Sequence, residues 1–188
     1  MASQSSEARE RDGEDRARMR GPARGLAAIR IVTGLWFLKS IWTKITWTLA
    51  GGILPLPAVS ERWIGFLPER LTEYAQSGPP AWYHAFLVGT AIPNGALFAK
   101  LTAVGEILVG LSLTLGALTV LGSLGGLWLI LNYLIGSWGL GLNQQGLHVM
   151  LITCFLVFIV ARAGRRWGLD GWLVGNGGGG NGLLSRLG

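Results

Sequence analysis

The charged residues of this chain gather in three clusters, at 7–30, 61–73 and 162–170, and long apolar stretches run between them. The longest goes from Leu97 to Leu142, with Glu106 its only charge after Lys100. One bilayer crossing takes about 20 mostly apolar residues, so this stretch holds two. Gly116-Ala117-Leu118-Thr119 is the natural tight turn between them, which predicts spans near 97–117 and 120–140. An earlier apolar segment, about 26–50, predicts a first span containing Lys39 and Lys44. A fourth is expected near 145–163, stopping at Arg162, Arg165 and Arg166. The expected fold class is all-α, an integral membrane four-helix bundle.

Residues 51–96 are mixed in character and predict a partly helical outer loop between spans one and two. Ser60 suits the N-cap of a helix reaching about Gln76, which Ser77-Gly78-Pro79-Pro80 would end. A second short helix is expected from Ala81 to about Ile92, ended by Pro93-Asn94. Both would lie at the membrane surface as a cap over the bundle. Residues 1–25 mix Arg with Glu and Asp and lack the apolar core of a signal peptide, so they read as a disordered cytoplasmic tail. The membrane domain is expected over 26–173, and 174–188 reads as a Gly-rich flexible tail.

Only 14% of residues are charged, against about a quarter in soluble domains. The net charge of +6 could suggest nucleic acid. The basic residues flank apolar spans and form no folded basic face, so no nucleic-acid partner is expected. Residues 16–30 hold Arg16, Arg18, Arg20, Arg24 and Arg30 with no acid, and the segment after span four holds three Arg. In the long loop Arg62 and Arg70 are outnumbered by Glu61, Glu69 and Glu73. Both termini are therefore expected on the cytoplasmic side of the cell membrane. Cys154 is alone, which excludes an intrachain disulfide framework and a CxxC pair.

Ionisable groups inside a span are costly, so each is a functional candidate: Arg30, Lys39, Lys44, Glu106 and His148. Helical spacing puts Arg30, Gly34, Phe37, Ile41 and Lys44 on one face of span one, with Lys39 roughly opposite. Ala99, Ala103, Glu106, Gly110 and Ala117 form a small-residue stripe on span two, so Glu106 is expected at a helix–helix contact. Gly125, Asn132 and Gly136 repeat that pattern on span three. Facing favours Lys44 as the partner of Glu106, and depth favours Lys39. The pair reads either as a proton or ligand site or as a tie holding two helices in register. Arg30 reads as an interfacial anchor, or as a group steering an anion or a quinone oxygen. His148 reads as a structural residue, or as a quinone headgroup donor beside Trp138 and Tyr133. No haem, iron–sulfur, nucleotide or zinc motif is present, so a redox cofactor would belong to the substrate or to partner subunits.

Arg30-Ile-Val-Thr-Gly34-Leu-Trp-Phe37-Leu with Lys44 after it, Trp82…Phe86…Pro93-Asn94…Phe98, Gly105-Glu106-Ile-Leu-Val-Gly110-Leu with Leu115-Gly116, and Gly164-Arg165-Arg-Trp-Gly168-Leu169-Asp170 occur in this order. Together they resemble the DoxX family, especially its DoxD-like branch, over roughly residues 26–173. That branch includes the small subunit of thiosulfate:quinone oxidoreductase. The resemblance implies four spans, a large outer loop, and thiosulfate oxidation with electrons passed to a membrane quinone. Val120 departs from the pattern, where the family often has a basic residue, and Lys39 is an extra charge. Two functions follow as expectations. One is a quinone-linked oxidoreductase subunit, with Glu106 and Lys44 catalytic and Arg30, Lys39, His148, Asn132 and Trp138 binding ligand. The other is a non-catalytic accessory or anchoring subunit, packed in the lipid bilayer against other membrane subunits or copies of itself. A small transporter is less favoured, since no repeated halves or broken helices are evident.

Overall fold

The computed structural model describes residues 21–50 and 54–176. Most of the two expected tails, before residue 21 and after residue 176, lies outside the described residues. In chain order the elements are α1 (Gly21–Lys44), β1 (Ile45–Ala50), β2 (Leu54–Val59), α2 (Glu61–Gln76), α3 (Ala81–Phe86), α4 (Gly95–Leu115), α5 (Thr119–Gly136), α6 (Leu142–Val160) and α7 (Leu169–Asn176). Four of them, α1, α4, α5 and α6, are long and apolar enough to cross a membrane. Their outward faces carry exposed Val32, Leu97, Leu101, Leu108, Trp128, Met150 and Val160. A belt of this size is far beyond what a soluble surface tolerates, and acyl chains are its natural solvent.

The first span ends at Lys44 and does not continue to residue 50. Ile45–Ala50 instead pairs antiparallel with Leu54–Val59, with Ile45 opposite Val59 and Thr48 opposite Leu56. Pro55 and Pro57 cannot continue a helix interior, and Ile45, Thr46 and Thr48 are branched at Cβ and favour extended backbone. The hairpin returns the chain to where it left, because the Ser60 amide donates to the Lys44 carbonyl at 2.8 Å. Ser60 then caps α2, its hydroxyl accepting from the Trp63 amide at 3.3 Å. α3 runs on into a π-helical turn, Leu87–Ala91, before the break at Pro93-Asn94.

The turn between α4 and α5 falls where the sequence places it. Gly116 has φ +65°, the left-handed conformation that glycine adopts freely at a helix C-terminus. α1 and α4 touch through two glycines. A Cβ on Gly34 would lie 2.6 Å from the Thr114 backbone nitrogen, and one on Gly110 would lie 2.8 Å from that of Leu38. Only hydrogen fits at such an approach. On α5 the expected stripe holds at Gly136, which lies against the Tyr74 ring, and is one residue off at Gly125. Gly125 is exposed, and Gly126 lies against the Phe155 ring.

Two apolar cores result. Phe37, Val109, Leu113, Ile130, Phe155 and Phe158 fill the bundle. Leu67, Leu71, Tyr83, Leu87 and Ala99 join the cap helices α2 and α3 to the top of α4.

Candidate functional site

α4 is 21 residues long, about 31 Å at 1.5 Å per residue, and Glu106 sits near its middle. Its carboxylate is held from three sides. Lys44 Nζ donates to Oε2 at 2.6 Å, the Ser40 hydroxyl donates to the same oxygen, and the Tyr133 hydroxyl donates to Oε1 at 2.7 Å. Three helices therefore converge on one acid. Ser40 and Lys44 are one turn apart on the same face of α1, which is why both reach it. Lys44 also stands 3.9 Å over the Trp63 ring. The Trp63 indole N–H donates to the Ala99 carbonyl at 3.0 Å, fixing that ring. Facing, not depth, selects Lys44. Lys39 points away and lies 3.9 Å over the Trp36 ring.

This polar knot forms part of the wall of a cavity of about 990 Å³. The cap contributes Trp63, Phe66, Tyr74 and Tyr83. α4 and α5 contribute Leu101, Gly105, Gly125 and Trp128, and the space runs along their groove to Leu118. His148 enters from α6. Its Nδ1 lies 3.2 Å from the Ser137 hydroxyl, and its ring centroid is 6.3 Å from that of Tyr133. Tyr83 donates to the Asn132 carbonyl at 3.1 Å. Burial, helped by the neighbouring Tyr74, pushes the Tyr83 phenol up to about 12.

Of the residues singled out in the sequence, Glu106, Lys44, His148 and Asn132 line this cavity. Three do not. Trp138 is mostly exposed; its amide donates to the Ile135 carbonyl and its carbonyl accepts from Gln145. Lys39 is on the opposite face of α1. Arg30 is at the other end of the bundle, fully buried. There it donates to the Ala163 carbonyl at 3.1 Å and the Trp167 carbonyl at 3.0 Å. Beside it Asp170 accepts from the Leu118 amide at 2.7 Å and the Thr119 amide at 3.0 Å. Its own amide donates to the Gly116 carbonyl at 2.8 Å. Arg30 and Asp170 thus clasp the α4–α5 turn to the segment after α6, and neither lines the cavity.

Sequence reasoning missed Ser40, and missed Tyr133 as a partner of the acid. Ser40 is one turn before Lys44, a signal that was present. Tyr133 is 27 residues from Glu106, and nothing local announces that contact. Among the described residues no three His, Cys, Asp or Glu side chains come together. No family model, curated protein or solved structure matches this chain. The likeness to the DoxX family stands on the residue pattern alone.

Proposed function

We propose that this chain is the membrane subunit of a quinone-linked oxidoreductase of the DoxX type, taking up a lipid-soluble quinone in the α4–α5 cavity. One observation carries the reading: the Glu106–Lys44–Tyr133 knot lies in the wall of a largely apolar cavity at mid-span. Reduction of a quinone takes two electrons and two protons. The electrons come from a donor such as thiosulfate, by way of a partner subunit. The protons need groups that exchange them away from water. A carboxylate hydrogen-bonded to a phenol and an ammonium is such a group, and His148 stands one step further along. The apolar groove towards Leu118 suits a hydrocarbon tail.

The test is saturable binding of a short-tailed quinone to the purified protein in nanodiscs, read by quenching of tryptophan fluorescence. Gly125→Leu fills the groove. A Cβ there meets only Val109 Cγ2, at an ordinary 3.5 Å, so the fold should tolerate it. Binding by the wild type and at least tenfold weaker binding by Gly125→Leu are expected. Equal binding by the two would remove the cavity from the reading.

A second reading, a non-catalytic subunit of a larger membrane complex, is favoured by a different observation. Lys39 lies inside a span, exposed, and has no carboxylate beside it among the described residues.

A further inference from the structure

Depth makes Lys39 unusual. The Ser40 side chain is short, and its bond to Glu106 sets that part of α1 near the middle of α4. The backbone contacts, Leu38 against Gly110 and Gly34 against Thr114, put Lys39 level with Val109, below the middle of α4 as seen from the cap. Lys39 is therefore about 21 Å from the cap end of α4 and about 9 Å from its other end, at 1.5 Å per residue. A four-carbon stem reaches neither membrane surface from there.

The surroundings are those of an interface. Val32, Leu35, Trp36 and Trp42 share the Lys39 face at helical spacing, all more than half exposed, Trp42 at 81%. The Trp36 ring covers one side of the ammonium and leaves the rest without a counter-charge. An ionised group at this depth calls for a partner.

We infer that this face of α1 docks a transmembrane helix of a different polypeptide, one that carries a carboxylate at the depth of Lys39 to pair with it. Charge complementarity selects that occupant. Among its described residues a second copy of this chain has none to offer there. Among the described residues Glu61, Glu69 and Glu73 lie in the cap and Asp170 lies at the far end of the bundle. Glu106 is buried and already accepts from three donors. A second copy would instead bring a second ammonium. Lipid phosphates stay at the surface, beyond reach. The inference is independent of the quinone reading, because Lys39 does not line the cavity.

Dicyclohexylcarbodiimide, an apolar reagent, tests it in the protein's own membranes. It condenses a carboxylate with an amine into an amide and takes up the lost water as the urea. Peptide mass spectrometry is expected to find Lys39 joined to an Asp or Glu within an apolar segment of another polypeptide. In mild detergent, Lys39→Gln should lose that polypeptide's mass from the assembly. Lys39→Arg keeps the charge and should retain it, without the amide. Quinone binding should be unchanged in both variants, which separates failure here from failure of the proposed function. The inference is overturned if Lys39 is joined to a second copy of the chain or to a lipid carboxylate. It is equally overturned if no amide forms and the wild type and Lys39→Gln assemble with the same mass.

Discussion

A carboxylate at mid-span is tolerated only if protein donors replace the water it has given up. Glu106 has three such donors, and one of them is charged. Its side chain and that of Lys44 keep only 11% and 12% of their surface, so solvent screens the pair weakly. Glu106→Gln would leave the ammonium facing a neutral amide. Loss of about 3 kcal/mol of stability is expected, the order seen when one member of a buried pair is removed. Lys44→Met should cost a similar amount. The double variant should cost no more than either, because no unpaired charge remains. Thermal unfolding in one detergent closes this cycle, and strictly additive losses would show that the two charges do not support each other. Tyr83, in the cap, titrates separately. A tyrosine in the unfolded chain ionises near pH 10, and the folded one is pushed up to about 12 by burial. The neutral phenol's contribution is therefore whole below pH 10 and fades as pH rises towards 12. The cap should loosen over that window, with Trp82 fluorescence reporting it, and Tyr83→Phe should flatten the response. An unchanged alkaline limb in Tyr83→Phe would place its cause elsewhere.

Elements were legible where one period decided them. The break at Gly116–Thr119, the Ser60 cap and the α2 boundary follow from residue types that act within one turn. The β-hairpin was not legible as such. Residues 45–59 carry no charge; 45–50 read as the end of span one and 51–59 as outer loop, while the decisive features, Pro55 and Pro57 opposite Leu49 and Trp47, act across strands. On α5, Gly136 packs as its spacing indicates, but Gly125 and Gly126 are adjacent, and only the position of Phe155 shows which of those two packs. The Arg30–Asp170 clasp was half legible, since both residues sit in the quoted family-like segments but their roles require the fold. The clasp holds a strained turn: Leu118, Arg162 and Trp167 all have positive φ without being glycine, at about 1 kcal/mol or more each. Asp170 offsets this by satisfying two amides at the start of α5, where a negative charge also meets the helix dipole. Asp170→Ala is expected to lower stability by about 2 kcal/mol, towards the upper end for a lost helix cap. It should also speed trypsin cleavage after Arg165 and Arg166 in detergent. Wild-type cleavage rates in Asp170→Ala would show that the segment after α6 is held by something else.

At the scale of the whole molecule, four crossings bring Gly21 and Asn176 to the same side and leave α2 and α3 on the other. The charge distribution predicts which side is cytoplasmic. Residues 16–30 hold five Arg and no acid, and three Arg follow α6 with only Asp170 near them. The cap carries Arg62 and Arg70 against Glu61, Glu69 and Glu73. Basic residues close to span ends are retained in the cytoplasm, so the chain's ends should face inward and the cap outward. Single cysteines in a Cys154→Ala background check this. Glu69 and Arg24 are both exposed, one in the cap and one near the start of α1. A membrane-impermeant maleimide should label Glu69→Cys in intact cells, and Arg24→Cys only after permeabilisation. The orientation also decides where an electron donor can dock. If the cap faces outward, Lys44, Trp63 and Tyr74 belong to the outer half of the bilayer. A soluble donor such as thiosulfate would then approach from outside while the quinone enters laterally between α4 and α5. The reverse labelling pattern would invert that route and require an intracellular donor.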